Sequence, residues 1–326
     1  MLDTKKTFGR TIYCCSSTDR NYVMPTCVTI ASVCLNNSES YIVYFLVVSG
    51  LSSQDYEQFT LLESRYRNLK LSLVDFNIEF LDSLGVLESI TKSLKDQRLT
   101  ASTYVRLFLT ELLPNTVNKV LFLDTDIICQ NSIDRLYSLN LKSDTPLAAV
   151  LDIAAGRQAK RLHVSNYVNA GVLLINLEYW RKHEVIKLFC ECLTKNTGML
   201  LTHDQDVINL VFADKIEIIP RKWNFQFFAI SSYSTQHLIK EATIVHYITE
   251  QKPWIGGNCN QQADIWMSYY ERCFNKRFEY KQFFSLKRRL INKISLISLK
   301  FLPYDSKRRK LIKRIVPQFL RKLIYK

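Results

Sequence analysis

The chain contains no run of about 18 consecutive apolar residues, the length a membrane-spanning helix needs, so no transmembrane helix is expected. The first six residues, Met1-Leu2-Asp3-Thr4-Lys5-Lys6, lack the apolar core of a secretory signal. A cytoplasmic setting is therefore expected. Nine cysteines are present, but no C-x-x-C pair of the kind that holds zinc. Most of them (Cys14, Cys15, Cys27, Cys34, Cys190 and Cys192) sit in or beside apolar runs and read as buried, reduced thiols. There is no internal repeat and no low-complexity linker. A chain of 326 residues can form one large domain or two small ones, and its apolar content is ample for a core.

The net charge of +14 suggests a nucleic-acid partner until it is located. Between Leu286 and Lys326 there are 14 Lys and Arg against a single acid, Asp305. Residues 1–285 are left with about +1, so the body is nearly neutral and the tail carries the charge. This division places a boundary near residues 275–285. Leu286, Leu290, Ile294, Ile297 and Phe301 recur at helical spacing among Lys287, Arg288, Arg289 and Lys293. After Pro303-Tyr304-Asp305 a second such stretch runs through Ile312, Ile315, Val316, Phe319, Leu320 and Leu323. Basic amphipathic helices of this kind lie on anionic membrane surfaces. A helical hairpin packed on the body, or a nucleic-acid arm, is the plainer alternative; the membrane reading fits both faces of the pattern.

In the body, Thr11–Cys15, Tyr41–Val48, Leu69–Phe76, Lys119–Leu123, Leu147–Leu151 and Val172–Ile175 read as strands. Ile216–Ile219 and Thr243–Val245 read as short ones. Helices are expected over Tyr22–Leu35, Asp55–Arg67, Thr103–Leu113, Glu178–Lys195 and Asp204–Phe212. Near-continuous apolar strands alternating with helices indicate an α/β fold with a parallel sheet covered on both faces. The string Leu121-Phe122-Leu123-Asp124-Thr125-Asp126 places two carboxylates, one residue apart, at the end of such a strand. Open α/β sheets bind ligands at strand carboxyl ends, and a hard divalent cation held by one or two carboxylates can also hold substrate phosphates. The plainer alternative is an Asp capping the next helix.

Three more constellations lie at strand ends. Asn169-Ala170-Gly171 precedes Val172, where small residues let backbone approach a ligand, or simply turn. His203-Asp204-Gln205-Asp206 opens a helix, where acids are ordinary caps or, alternatively, face one ligand together. His246-Tyr247 follows a strand, with Lys252-Pro253-Trp254 beyond it. A neutral imidazole can complete a metal shell and a lysine can meet phosphate, although a lone histidine is more often structural.

Taken in order, these strings resemble glycosyltransferase family 8, retaining enzymes that include bacterial lipopolysaccharide and lipooligosaccharide galactosyl- and glucosyltransferases and the glycogenins. The resemblance runs from about Ile12 to Tyr270. Thr103–Leu107, Leu121–Asp126, Asn169–Leu177, Trp180–His183, His203–Asn209, Trp223–Gln226 and His246–Trp254 carry it. It implies a GT-A fold, a Rossmann-like nucleotide-diphospho-sugar transferase with a mainly parallel central sheet, over residues 1–280. Residues 281–326 would form a basic helical tail for membrane association.

The resemblance also implies roles. Asp124, Asp126 and His246 would hold Mn²⁺ or Mg²⁺. Asp19, Asn21 and Tyr22 would hold uridine, and Thr125 would lie near the ribose. Arg106 would reach the donor sugar or diphosphate, and Lys252 the diphosphate. Asn169, Ala170, Asp204 and Gln205 would contact the sugar, with Asp152 between donor and acceptor. Gln205 and Asp206 match the positions of a candidate nucleophile. A front-face route, in which the leaving phosphate deprotonates the acceptor hydroxyl, is preferred because an amide is a weak nucleophile. Many members carry glycine shortly after the metal histidine; this chain has Ile248-Thr249-Glu250-Gln251.

The expected activity is transfer of galactose or glucose from a UDP-sugar to a lipopolysaccharide or other lipid-linked glycan at the inner face of the cytoplasmic membrane, with no nucleic-acid partner. A glycogenin-like glucan primer is less favoured, because basic helices have no evident use there. A nucleotidyltransferase would not need Asn169, Asp204 or Gln205. A non-enzymatic basic protein would tolerate loss of Asp124 and Asp126.

Overall fold

The computed structural model describes residues 8–93, 101–227, 238–301 and 307–308. Strand β1 (Arg10–Asp19) is followed by helix α1 (Val23–Asn36), β2 (Ser40–Ser49), α2 (Ser53–Arg65), β3 (Leu69–Asp75) and β4 (Lys119–Leu123). A short β5 (Ile127–Cys129) precedes β6 (Leu147–Leu151), β7 (Val168–Asn176), β8 (Glu217–Ile218), β9 (Phe225–Gln226) and β10 (Ile244–His246). The main sheet has seven strands in the order β3-β2-β1-β4-β7-β6-β8. β1, β2, β3 and β4 are mutually parallel, as their continuous apolar sequences require. Apolar clusters fill both faces: α1 and the aromatic side chains Trp254, Trp266 and Tyr270 contribute to one, and Trp180, Phe189 and Phe212 to the other. All nine cysteines are free thiols, and eight are buried.

Several local expectations are corrected. β7 runs antiparallel to both β4 and β6 and begins at Val168, four residues before the expected start. Asn169-Ala170-Gly171 is thus part of a strand and not a loop. Two of these residues lack strand propensity, but Asp124 N–H donates to Gly171 O at 2.8 Å and holds them in the sheet. The helix expected over Thr103–Leu113 is a 3₁₀ helix, Ala101–Phe108, followed by one α-turn, Leu109–Leu112. Its three-residue repeat sets Thr103 and Arg106 on one side. The helix expected over Glu178–Lys195 is two helices, Leu177–Lys182 and Val185–Lys195. Glu184, with φ of 46°, turns the chain between them, so Trp180 and Phe189 both reach the core.

A helix from Leu286 to Phe301 follows the body. Its amphipathic pattern is inverted relative to the core. Asn292 and Ser295 are 4% and 3% exposed, whereas Leu286 and Leu290 are 80% and 60% exposed. The reason is polar: Asn292 Nδ2 donates to Gly257 O at 2.8 Å and to Gln251 Oε1 at 3.1 Å, and Arg288 pairs with Glu250. The second amphipathic stretch, 312–323, lies outside the described residues. Among the described residues, no helix is long and apolar enough to cross a membrane.

Candidate active site

Strand topology brings the chemical groups together. β4 ends at Leu123, and the chain turns through Asp124-Thr125-Asp126 directly into β5, so no helix follows for these acids to cap. Two buried hydroxyls hold this turn. Ser16 Oγ on β1 donates to Leu123 O at 2.6 Å, and Thr29 Oγ1 on α1 donates to Ile127 O at 2.9 Å. Because β7 is antiparallel to β4, its first residues lie beside the end of β4. β10 pairs antiparallel with β5, with His246 opposite Ile127, and Tyr247 N–H donates to Asp126 O at 3.0 Å. His246 therefore ends its strand next to both aspartates, 120 residues after the second of them.

Asp124, Asp126 and His246 each offer a ligand atom within 4.8 Å of the others. His246 Nε2 lies 3.1 Å from Asp126 Oδ1 and 3.5 Å from Asp124 Oδ2. Among the described residues, nothing donates a well-aligned hydrogen bond to the buried Asp126 Oδ1. An oxygen lone pair and a ring nitrogen converge there with nothing between them, and two carboxylates plus an imidazole suit a divalent cation. The backbone makes room for it: a Cβ on Gly171 would stand 2.2 Å from His246 Cε1 and 2.8 Å from Asp124 Oδ2. Only glycine fits that position while the three side chains converge.

Cations already flank the carboxylates. Lys252 Nζ donates to Asp126 Oδ2 at 2.5 Å and to Tyr247 O at 2.6 Å. Arg106 is buried; its Nη2 donates to Asp124 Oδ1 at 2.8 Å, its Nε lies 2.6 Å from Asp204 Oδ2, and its Nη1 donates to Ala170 O. Burial alone would raise the Asp126 carboxyl, but the Lys252 ammonium beside it holds it well below the ordinary carboxylate range. Burial would lower Arg106 and Lys252, and the aspartates raise both instead. Asp204 is different: burial outweighs Arg106 and pushes its carboxyl up to about 6.

These groups open on a cavity of about 460 Å³. Of the residues singled out in the sequence, Asp19, Tyr22, Arg106, Asp124, Thr125, Asp126, Ala170, Asp204 and Gln205 line it. His246 and Lys252 are not part of that lining and meet it through their contacts to Asp126. Asn169 and Asp152 form a layer beneath Gln205: Gln205 Nε2 donates to Asp152 Oδ2 at 3.2 Å, and Ala170 N–H donates to Gln205 Oε1 at 3.0 Å.

Two expected positions fall elsewhere. Asn21 is exposed and borders a neighbouring cavity of about 310 Å³; its N–H caps Asp19 Oδ1 at 2.8 Å. Asp206 is fully buried and points away from the cavity. Its carboxylate accepts from Arg161, Tyr167, Thr202 and the N–H groups of Leu201 and Thr202. At helical spacing Asp204 and Asp206 cannot share a face. Ser17, Thr18, Ser102, Thr103, Thr202 and Ile248 also line the cavity. Ser17 and Thr18 were foreshadowed only by their place before Asp19, and Thr103 by its spacing from Arg106.

The sequence profile described as Glycosyl transferase family 8 matches residues 13–256. A lipopolysaccharide 1,3-galactosyltransferase of Salmonella typhimurium is 30% identical over 249 residues, covering 72% of this chain and 71% of its own. A lipopolysaccharide 1,2-glucosyltransferase of Escherichia coli is 26% identical over 298 residues, covering 86% and 83%. Among solved structures, the galactosyltransferase LgtC in complex with donor and acceptor sugar analogues superposes with a TM-score of 0.67 at 24% identity, covering 80% of this chain and 96% of that one. That likeness bears out the expected GT-A architecture.

Proposed function

Because the chain belongs to glycosyl transferase family 8 and is a glycosyltransferase, we propose that it moves galactose or glucose from a UDP-sugar to a hydroxyl of a lipopolysaccharide core or similar lipid-linked glycan. The observation that carries this reading is the Asp124–Asp126–His246 cluster, whose two carboxylates line a cavity bordered largely by polar side chains. Lipopolysaccharide appears in the names of both relatives above.

In this reading Asp124, Asp126 and His246 hold Mn²⁺ or Mg²⁺. Such an ion, when bound, neutralises diphosphate charge and acts as a Lewis acid for the departing UDP. Asp19, Tyr22 and Thr125 bind the nucleoside end. Tyr22 is steadied by an edge contact to Trp254, with ring centroids 5.9 Å apart. Lys252 and Arg106 add fixed positive charge where negative charge builds on the leaving phosphate. Asp204 and Gln205 face the sugar, and Asp152 with Asn169 orients the Gln205 amide from behind.

The acceptor oxygen attacks from the side the phosphate leaves, and the phosphate takes its proton. Two observations favour this front-face route. Gln205 is a neutral amide with both of its polar atoms engaged, and Asp206 is fully buried with its oxygens occupied.

The outward-facing apolar residues of the helix Leu286–Phe301, beside Lys287, Arg289 and Lys293, support attachment to an anionic membrane at the inner face of the cytoplasmic membrane. Each basic residue near such a surface is worth about 1 kcal/mol. Residues 281–326 are proposed as that attachment segment, carrying the enzyme to its lipid-linked acceptor.

The test is a panel of UDP-sugars with Mn²⁺, reading UDP release with and without lipopolysaccharide acceptors. Turnover of UDP-galactose or UDP-glucose is expected. Failure to bind or turn over any UDP-sugar would overturn the reading.

A further inference from the structure

His246 touches the site through Nε2, but its other ring nitrogen leads away from it. His246 Nδ1 lies 3.0 Å from Asn224 Oδ1, and Asn224 is fully buried. Asn224 Nδ2 donates to Asn169 Oδ1 at 2.8 Å. Asn169 Nδ2 donates to Asp152 Oδ2 at 3.1 Å, the same oxygen that receives Gln205 Nε2. A continuous polar chain therefore runs from the cation site to the residues beneath the sugar.

The direction of this chain is settled by groups that cannot reverse. Gly171 N–H, a backbone donor, points at Asn169 Oδ1 from 3.0 Å. Asp152 is a carboxylate that accepts from Ala154 N–H at 2.7 Å, and it can only accept from Asn169. Turning the Asn169 amide over would set donor against donor at Gly171 and acceptor against acceptor at Asp152. With Asn169 fixed, its Oδ1 demands a donor from Asn224, which leaves the Asn224 carbonyl facing His246. A carbonyl only accepts, so Nδ1 must carry the proton.

We infer that Asn224 is a positioning residue: it holds His246 with the proton on Nδ1 and the Nε2 lone pair aimed between Asp124 and Asp126, and it links that setting to Asn169, Asp152 and Gln205. The inference rests on the proposed cation site and deepens it. A histidine protonated on Nε2 would point a hydrogen into the space between the aspartates and could not ligate. Partners of this kind commonly change metal affinity by roughly 10–100-fold when removed. Asn224 immediately precedes β9, whose Gln226 pairs with His246 on the neighbouring β10, so the adjoining strands keep Asn224 within reach of the His246 ring.

The experiment compares Asn224→Leu, which removes both polar atoms, with Asn224→Asp, which keeps an acceptor for Nδ1–H but cannot donate to Asn169. Mn²⁺ affinity is read from the free-ion electron paramagnetic resonance signal in the presence of UDP, with thermal unfolding as a control. Asn224→Leu should bind Mn²⁺ roughly 10–100-fold more weakly. Asn224→Asp should bind it no more weakly than the unmodified protein, while UDP release from UDP-sugars falls because Asn169 is no longer held. Equal Mn²⁺ affinity in Asn224→Leu and the unmodified protein would overturn the inference, as would equal weakening in both variants.

A measurement on the unmodified protein stands apart from any folding defect. With Mg²⁺ and UDP bound, ¹⁵N spectra of labelled histidine should show His246 protonated at Nδ1. An Nε2–H form would sink the inference. If the unmodified protein bound no Mn²⁺ at all, the cation reading itself would fall, a result distinct from equal affinities.

Discussion

The strand-end site and the helix Leu286–Phe301 both bury polar side chains, and they leave opposite things unfinished. At the site, Asp124, Asp126 and His246 converge with an excess of lone pairs, and among the described residues Asp126 Oδ1 receives no well-aligned hydrogen bond. On the helix, Asn292 is fully engaged by Gln251 and Gly257, while Leu286, Leu290, Ile294 and Ile297 are exposed. In the proposed reading the first region takes charge of opposite sign and the second an apolar surface. Incomplete satisfaction in a folded protein marks function in either currency, polar or apolar.

The comparison can be broken most severely at the carboxylates. Asp124→Asn should lower the rate of UDP release by about 10³-fold, since a cation's charge stabilisation is worth several kcal/mol. The thermal midpoint should hold or fall modestly, because the amide keeps an acceptor for Arg106 but loses the charge that pairs with it. A variant that keeps its rate would remove the cation from the site's logic.

Asp204 sharpens the same half. Its carboxyl titrates near 6 in the folded chain, above its ordinary value, so between about pH 4 and 6 the folded state binds more protons than the unfolded. The stabilisation is complete below that window and is lost as pH rises through it, amounting to at most ~3 kcal/mol. Denaturant unfolding of the metal-free protein should show this fall, and Asp204→Asn should abolish it. A pH-independent difference between the two proteins would contradict the assignment.

The helix is tested by substitutions of opposite character. Asn292→Leu should destabilise by about 1–3 kcal/mol, because Gln251 and the Gly257 carbonyl lose a buried partner. Leu290→Ser, on the exposed face, should change stability by no more than about 0.5 kcal/mol. Paired with Ile294→Ser, it should reduce co-sedimentation with anionic vesicles while UDP release in solution is unaffected. Undiminished vesicle binding would end the membrane proposal.

The cation site was largely legible in the sequence, and the helix only half so. Asp124-Thr125-Asp126 follows a recognisable buried strand, and His246 follows from its family motif. Asn224 lies within the family string Trp223–Gln226, but its role was not legible there: it depends on β9 lying beside β10 and on a histidine 22 residues away. Gly171 read as a point of close backbone approach or a turn, because spacing cannot show that an antiparallel strand presses its backbone against Asp124 and His246. The periodicity of Leu286–Phe301 was plain, but not which face turns inward. That choice is made by Gln251 and Gly257, some forty residues upstream, and apolar periodicity alone points the wrong way. Asp206 looked chemical because it sits beside Gln205, yet one helical step carries it to the far side, where it pins Leu201 and Thr202.

The most direct measurement of the central claim is anomalous diffraction from a crystal grown with Mn²⁺ and UDP. The account predicts one strong peak about 2.0–2.6 Å from carboxylate oxygens of Asp124 and Asp126 and from His246 Nε2, touching the diphosphate. UDP bound with no peak there, or a peak away from these three side chains, would contradict it.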